Sequence, residues 1–412
     1  LVSVQVLVAS PLRVAAHSGA QLAAMIPSSG GCEPAGDADA EACKGRLLRA
    51  AGVGSWQELL TCQELLLSYK QLRSLPQGIG QMALLELLDA EANRLASLPA
   101  DIGCLAALRT LQLSGNKLGA LPDTFGSLAA LQTLALSDNQ LTSLPDTVGA
   151  LSELRSLDLA SNRLAGLPEC VCQLRALREM SLTDNMLSRL PESVRQLCSL
   201  RSLYIGRNRL QNLPESLGEL CELQELEAYG NQLLDLPESI GQLGCLASLN
   251  LNGNQLSRLP ETFGCLRALT HLHIERNEVA ALPDSIGGLA ALRELYLTEN
   301  VLEALPESFG ELTALEQLHA SMNSVAALPS SFCQLRSLII LQMEHNRLSE
   351  LPGDIGELAS LKSMFLANNR LRALPESLGR LVSLQALLLD NNPLEAPPPP
   401  LPGLAEAPLW CR

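Results

Sequence analysis

The chain has 412 residues, of which 18% are charged and only 3% aromatic, and its formal net charge is −15. So acidic a balance excludes a general nucleic-acid binder, whose phosphate contacts need clustered Lys and Arg. No apolar run approaches the ~18 residues of a membrane-spanning helix, and the scarcity of aromatics points to a core built from leucine.

Residues 1–51 are rich in Ala, Gly and Ser and read as a linker with a partial cap, in which Leu47 to Ala51 cover the first repeated unit. Leu1 to Ala9 is apolar enough for the tail of a secretory signal but lacks a basic segment ahead of it. From Gly52 to Ser74 runs a degenerate first unit, with Trp56, Leu59, Leu65, Leu67 and Leu72 at the core positions and Lys70 where later units carry Asn. A Leu-Pro pair then recurs fourteen times, from Leu75-Pro76 to Leu374-Pro375, at a fixed spacing of 23 residues. An asparagine keeps the same period from Asn93 to Asn392, with no insertion or deletion. A fixed period of this length marks a solenoid, here of about fifteen units over 52–396. Residues 397–412 open with Pro397 to Pro400 and read as an extended tail that stops the array, or as a polyproline ligand.

The unit from Leu213 shows how one repeat builds. Around Leu226 apolar and polar residues alternate, which predicts a short strand; stacked copies predict a parallel sheet at ~4.8 Å spacing. Leu213, Leu217, Leu220 and Leu223 point inward from the opposite side, and a neighbour on each flank must complete their burial. The asparagine stands where the chain leaves the strand, so its amide is expected to satisfy backbone groups of its own and the adjacent unit. Pro after Leu is expected in the first turn of a short helical segment, and the acids that come next, such as Asp123, Glu215 and Glu307, suit exposed amides there. These acids are helix-start chemistry rather than a calcium series. Helical turns outside and strands inside differ in width, so the stack should curve with its sheet concave.

Three positions per strand face outward, giving 45 concave sites, of which eleven are Asp or Glu and none is Lys or Arg. Bases appear instead one residue after the asparagine, at Arg94, Lys117, Arg163, Arg209, Arg347 and Arg370, as a rim. A wall of one sign should steer a basic partner and repel polyanions. Tyr and His concentrate on its second half, where side chains suited to protein hot spots collect. The expected contact patch is Tyr204, Glu227, Tyr229, Asn250, His271, His273, Glu275, Glu294, Tyr296, His319, Gln342, Glu344 and Phe365. His271 and His273, with Glu294 and His319, have zinc-ligand chemistry, but His273 and His319 fall two strands apart with Tyr296 between, so no metal is expected. A pH-sensitive contact fits these histidines better. Most of the twelve cysteines fall in the repeats and read as reduced thiols, although Cys198 and Cys221 would stack and could bridge in an oxidising compartment. No nucleophile–base–orienter set and no nucleotide fingerprint is present, so neither catalysis nor a cofactor is expected.

The unit Leu-Pro-Glu-Ser-Leu/Ile-Gly-x-Leu-x-x-Leu-x-x-Leu-x-Leu-x-x-Asn-x-Leu resembles leucine-rich repeats, in particular those of intracellular Ras-group proteins of plants and scribble-type scaffolds of animals. The resemblance covers residues 52–396; Lys70, Cys172, Arg195 and Cys333 depart from its consensus. It implies a cytoplasmic signalling scaffold, with a small GTPase or a phosphatase as candidate partner; the period itself predicts an α/β solenoid horseshoe, and the chain is expected to be a monomer. A cell-surface recognition domain and the targeting array of a larger enzyme are the competing readings.

Overall fold

The computed structural model describes residues 37–401, so the Leu1–Ala9 segment and the last residues of the Pro-rich tail lie outside the described residues. Fifteen three-residue strands form one parallel sheet in strict chain order. They are β1 (Glu64–Leu66), β2 (Leu87–Asp89), β3 (Thr110–Gln112), β4 (Thr133–Ala135) and β5 (Ser156–Asp158); β6 (Glu179–Ser181), β7 (Ser202–Tyr204), β8 (Glu225–Glu227), β9 (Ser248–Asn250) and β10 (His271–His273); and β11 (Glu294–Tyr296), β12 (Gln317–His319), β13 (Ile340–Gln342), β14 (Ser363–Phe365) and β15 (Ala386–Leu388). The register never slips: Leu226 pairs with Leu203 on one side and Leu249 on the other, so each position meets its own equivalent. The central residue of each strand points inward, and Leu203, Leu226, Leu249 and Leu272 are all fully buried. With Leu213, Leu217, Leu220 and Leu223 from the other side they form one continuous core running the length of the array.

The outer side is built from five-residue 3-10 turns such as Glu215–Glu219 and Glu238–Gln242. Proline lies one position earlier than the sequence suggests. Pro214 is extended (φ −69°, ψ 147°) and immediately precedes the turn, and the acid opens it. The reason is that a proline ring fixes only φ, which suits extended and helical backbone alike. Its carbonyl accepts the first bond of the turn, from the Leu217 amide at 3.0 Å. The acids also bind between units: Asp101 accepts from the Gly80 amide of the preceding unit at 3.2 Å, and Glu215 from the Ser239 amide of the next one at 3.2 Å. Gly218 is fixed by close approach, since a Cβ there would fall under 3.0 Å from the Ser239 carbonyl oxygen. Where Cys172 and Cys333 replace this glycine, their side chains are buried in the stack.

Each asparagine ties its own unit to the preceding one. In Asn231 the amide oxygen accepts from the Leu210 amide at 3.0 Å, while Nδ2 donates to Ile205 O at 2.9 Å and Ala228 O at 3.1 Å. The residue just before the asparagine adopts left-handed backbone, with φ of 51° at Arg207, 57° at Met322 and 65° at Gly230. An L side chain pays roughly 1–2 kcal/mol for that conformation, so the asparagine bonds hold a turn that the chain would otherwise avoid.

At the first unit, helix α1 (Asp37–Ala51) covers the array, starting ten residues before the expected Leu47 and burying that leucine at 1% exposure. The short helix α2 (Trp56–Leu59) is capped by Ser55, whose hydroxyl accepts the Glu58 amide at 3.2 Å. Trp56 is only partly buried, against expectation; Lys44 Nζ sits 5.3 Å from its ring centre and shields it. Asn93 reaches back to the Lys70 and Leu72 amides at 3.1 and 2.9 Å, so the unit lacking its own ladder residue is still tied on.

Candidate functional site

Outward positions on either side of the buried strand centres line the concave wall. All thirteen residues expected at the contact patch lie on that wall from β7 to β14, and each is half-buried. Half-burial follows from the pleat: neighbouring side chains stand one strand apart and cover each other's flanks.

The middle of the patch is a ring stack. Tyr296 on β11 lies between His273 on β10 and His319 on β12, with ring centres 4.4 Å apart on each side and interplanar angles of 6° and 20°. The tyrosine fills the space that a shared ion would need, and among the described residues no group of three or more His, Cys, Asp or Glu is placed to hold a metal. His271 points elsewhere, with Nδ1 2.8 Å from the Thr270 hydroxyl and Nε2 3.9 Å from Glu294. His319 Nδ1 lies 2.7 Å from Gln342 Oε1; because that oxygen accepts, the proton is on Nδ1, and Nε2 is left buried without a partner. Tyr229 is packed over Gly206, where a Cβ would collide with its ring, and the Arg207 guanidinium carbon is 6.0 Å from the ring centre.

Carboxylates surround the stack and are held by neutral donors. Tyr204 donates to Glu225 at 2.6 Å, Asn250 to Glu227 at 2.7 Å, Asn252 to Glu275 at 3.1 Å and Gln317 to Glu294 at 3.2 Å. Ser321 donates to Glu344 in the same way. Burial pushes Glu227 up to about 6, with Glu225 adding to the rise and the Asn250 bond opposing it. Burial also raises Glu275, and it lowers both His273 and His319 below the ordinary imidazole value. Tyr296, buried beside Glu294, is pushed up to about 12. The wall therefore carries negative charge that its own side chains orient but do not neutralise. A cation brought by a partner would relieve that cost.

A depression of ≈ 550 Å³ opens over β4–β7, lined by Ala135, Asp158, Glu179, Ser181 and Tyr204. It lies on the N-terminal side of the expected patch and meets it only at Tyr204. The ring stack was not legible from composition, although the tyrosine and two histidines at one strand position in consecutive units are its sequence signal. Phe365 occupies the outward position on β14, opposite Gln342, while Phe125, Phe263, Phe309 and Phe332 are fully buried. Cys198 and Cys221, the stacked pair, are both exposed free thiols.

Family models describing leucine-rich repeats match residues 119–164, 152–210 and 336–394, and a leucine-rich repeat region model matches 226–301. No curated protein sequence matches the chain. Among solved structures, a repeat protein of Leptospira interrogans is 33% identical with a TM-score of 0.73; the alignment covers 83% of this chain and 94% of that one. The plant peptide hormone receptor RGFR1 in complex with RGF2 is 27% identical with a TM-score of 0.64, covering 78% of this chain and 59% of the receptor. The PEPR1–AtPEP1 structure is 26% identical with a TM-score of 0.61, covering 82% of this chain and 60% of that one.

Proposed function

Because the chain belongs to the leucine-rich repeat family, we propose that it is a non-catalytic scaffold whose concave wall binds a protein partner through a basic patch. The observation that carries this reading is the run of carboxylates from Glu225 to Glu344, each held by a neutral donor, on a wall without Lys or Arg. Burial raises the proton affinity of Glu227 and Glu275, so a Lys or Arg from outside gains more beside those two than at an ordinary surface carboxylate. The His273–Tyr296–His319 stack supplies a rigid, partly apolar centre of the kind that anchors an interface. RGFR1, with its complex to RGF2, is a structural relative that binds its ligand as a receptor, which supports a recognition role.

The finer reading is a cytoplasmic signalling scaffold of the Ras-group or scribble type, with a small GTPase or phosphatase as partner. It is supported by cysteines suited to a reducing compartment and by the Leu-Pro-Glu-Ser-Leu-Gly form of the unit. The test is affinity purification from cell extract with the intact chain and with Tyr229, His273 and Tyr296 changed to Ala. Partners lost by the triple variant at moderate salt, and lost by the intact chain at ~1 M salt where screening is nearly complete, are the expected result. Equal recovery by both proteins overturns the assignment of the patch.

A further inference from the structure

Bases are excluded from the concave wall, yet three arginines line up on its flank. Arg155, Arg178 and Arg201 occupy the position just before β5, β6 and β7. The Arg178 amide donates to Arg155 O and the Arg201 amide to Arg178 O, both at 2.8 Å, so their backbones stack rung on rung. At sheet spacing the three lie ~4.8 Å apart, a row of about 10 Å. All three side chains are exposed.

Other arginines at this repeat position are neutralised by a neighbouring unit. Arg109 pairs with Glu86 at 3.4 Å, one period back, and Arg293 with Glu316 at 2.9 Å, one period on. Arg201 pairs with Glu222 at 3.3 Å, 21 residues on. For Arg155 those three places hold Gln132, Arg178 and Ala176; for Arg178 they hold Arg155, Arg201 and Ser199. Every slot that supplies an acid elsewhere supplies a neutral residue or another arginine here. Among the described residues neither Arg155 nor Arg178 forms an ion pair. Two like charges one rung apart repel, and among the described residues no ion pair offsets that repulsion.

We infer that Arg155 and Arg178 form an oxyanion site on the flank of the sheet, and that its ligand is a phosphorylated side chain of a protein segment. Two unpaired guanidinium groups match the charge of a phosphate monoester, about −1.5 to −2 at neutral pH, and forked donors suit its oxygens. A long polyanion does not fit. The row spans only three rungs, its third member is already neutralised by Glu222, and Asp158 and Glu179 stand beside it on the concave wall. The site is separate from the acidic patch and does not depend on what binds there.

The test uses the full chain and a short phosphoserine peptide with neutral flanks, alongside its unphosphorylated form, by isothermal titration at low salt. Binding at least tenfold tighter for the phosphorylated peptide is expected, with that preference lost in R155Q/R178Q and kept in R293Q, whose arginine is ion-paired. Since all three arginines are exposed, an unchanged melting temperature confirms that the double variant is folded. Equal binding of both peptides, or an unaltered preference in R155Q/R178Q, overturns the inference. So does sedimentation with phosphatidylcholine vesicles containing phosphatidylinositol phosphate that the phosphopeptide cannot compete away, since the row would then belong to a membrane surface.

Discussion

Replacing Asn231 by alanine isolates what one rung of the asparagine ladder contributes. The two carbonyls nearest Asn231 Nδ2 are each shared: Ile205 O also receives Asn208 Nδ2 at 3.1 Å, and Ala228 O also receives Asn254 Nδ2 at 3.1 Å. The third, Tyr229 O at 3.4 Å, also receives the Arg207 amide at 2.7 Å, so all three keep a partner when Asn231 is truncated. The Leu210 amide, by contrast, loses its acceptor in a fully buried site. An orphaned buried donor costs about 1–3 kcal/mol, and two lost shared bonds add about 0.5–1 kcal/mol each. The sum is about 2–5 kcal/mol. Asn392 provides the control, since its bonds to Leu371, Leu366 and Leu389 are only partly buried and water can replace them. Its truncation should cost about 1 kcal/mol or less. Urea unfolding of the two variants measures the difference, and amide exchange at Leu210 locates it. Because units contact only their neighbours, the Asn231→Ala array is also expected to lose a single sharp transition and melt in two parts. A cost below about 0.5 kcal/mol, the usual range for a surface substitution, or equal costs at the two sites, would refute the argument.

Other outcomes rest on the same structure. Gly218→Ala should destabilise by about 1–3 kcal/mol through overpacking, whereas Gly166→Ala, with nothing near its Cβ, should leave the melting temperature unchanged. Glu227 binds its proton more tightly folded than unfolded, so its ionised form weakens the fold above about pH 6 and that penalty fades as pH falls towards the unfolded value. Glu227→Gln should therefore raise the melting temperature at pH 7.5, with the gain vanishing near pH 4.5. His273 and His319 have the opposite sign: their lowered proton affinity contributes stability above the unfolded value of 6.5 that is lost as pH falls through the folded one. Replacing both by Gln should flatten the acid limb of a stability–pH profile. Met322→Gly, which relieves a left-handed residue at an exposed turn, should stabilise, as seen in a higher urea midpoint.

The repeat made most of the fold legible. Buried leucines and the asparagine announce themselves by period, because a position facing the same neighbour in every unit is chemically the same position. The features that were not legible break that equivalence or sit beside it. Left-handed backbone before the asparagine is occupied by Arg207, Met322, His345 and Gly230 alike, so no residue type marks it. Pro214 satisfies extended and helical φ equally, and only the bond from Leu217 decides between them. Helix α1 begins at Asp37, before any periodic pattern. On the concave wall, the sequence placed Tyr296 and its two histidines on one face but not ring against ring. The flank arginines were not legible because what distinguishes Arg155 and Arg178 is the identity of residues 21 and 23 places away, which matter only through the register.

That constant register has a consequence for how the molecule can change. Each residue of β8 meets its counterparts in β7 and β9 through identical offsets. Excising or duplicating a whole period would rejoin equivalent surfaces and leave the seam intact, whereas gaining or losing a single amino acid within a strand would set leucine against polar partner at that one seam, later units keeping their own register. Such a chain can lengthen or shorten by recombination of whole units with little penalty, and its recognition surface is free to be reassembled in blocks.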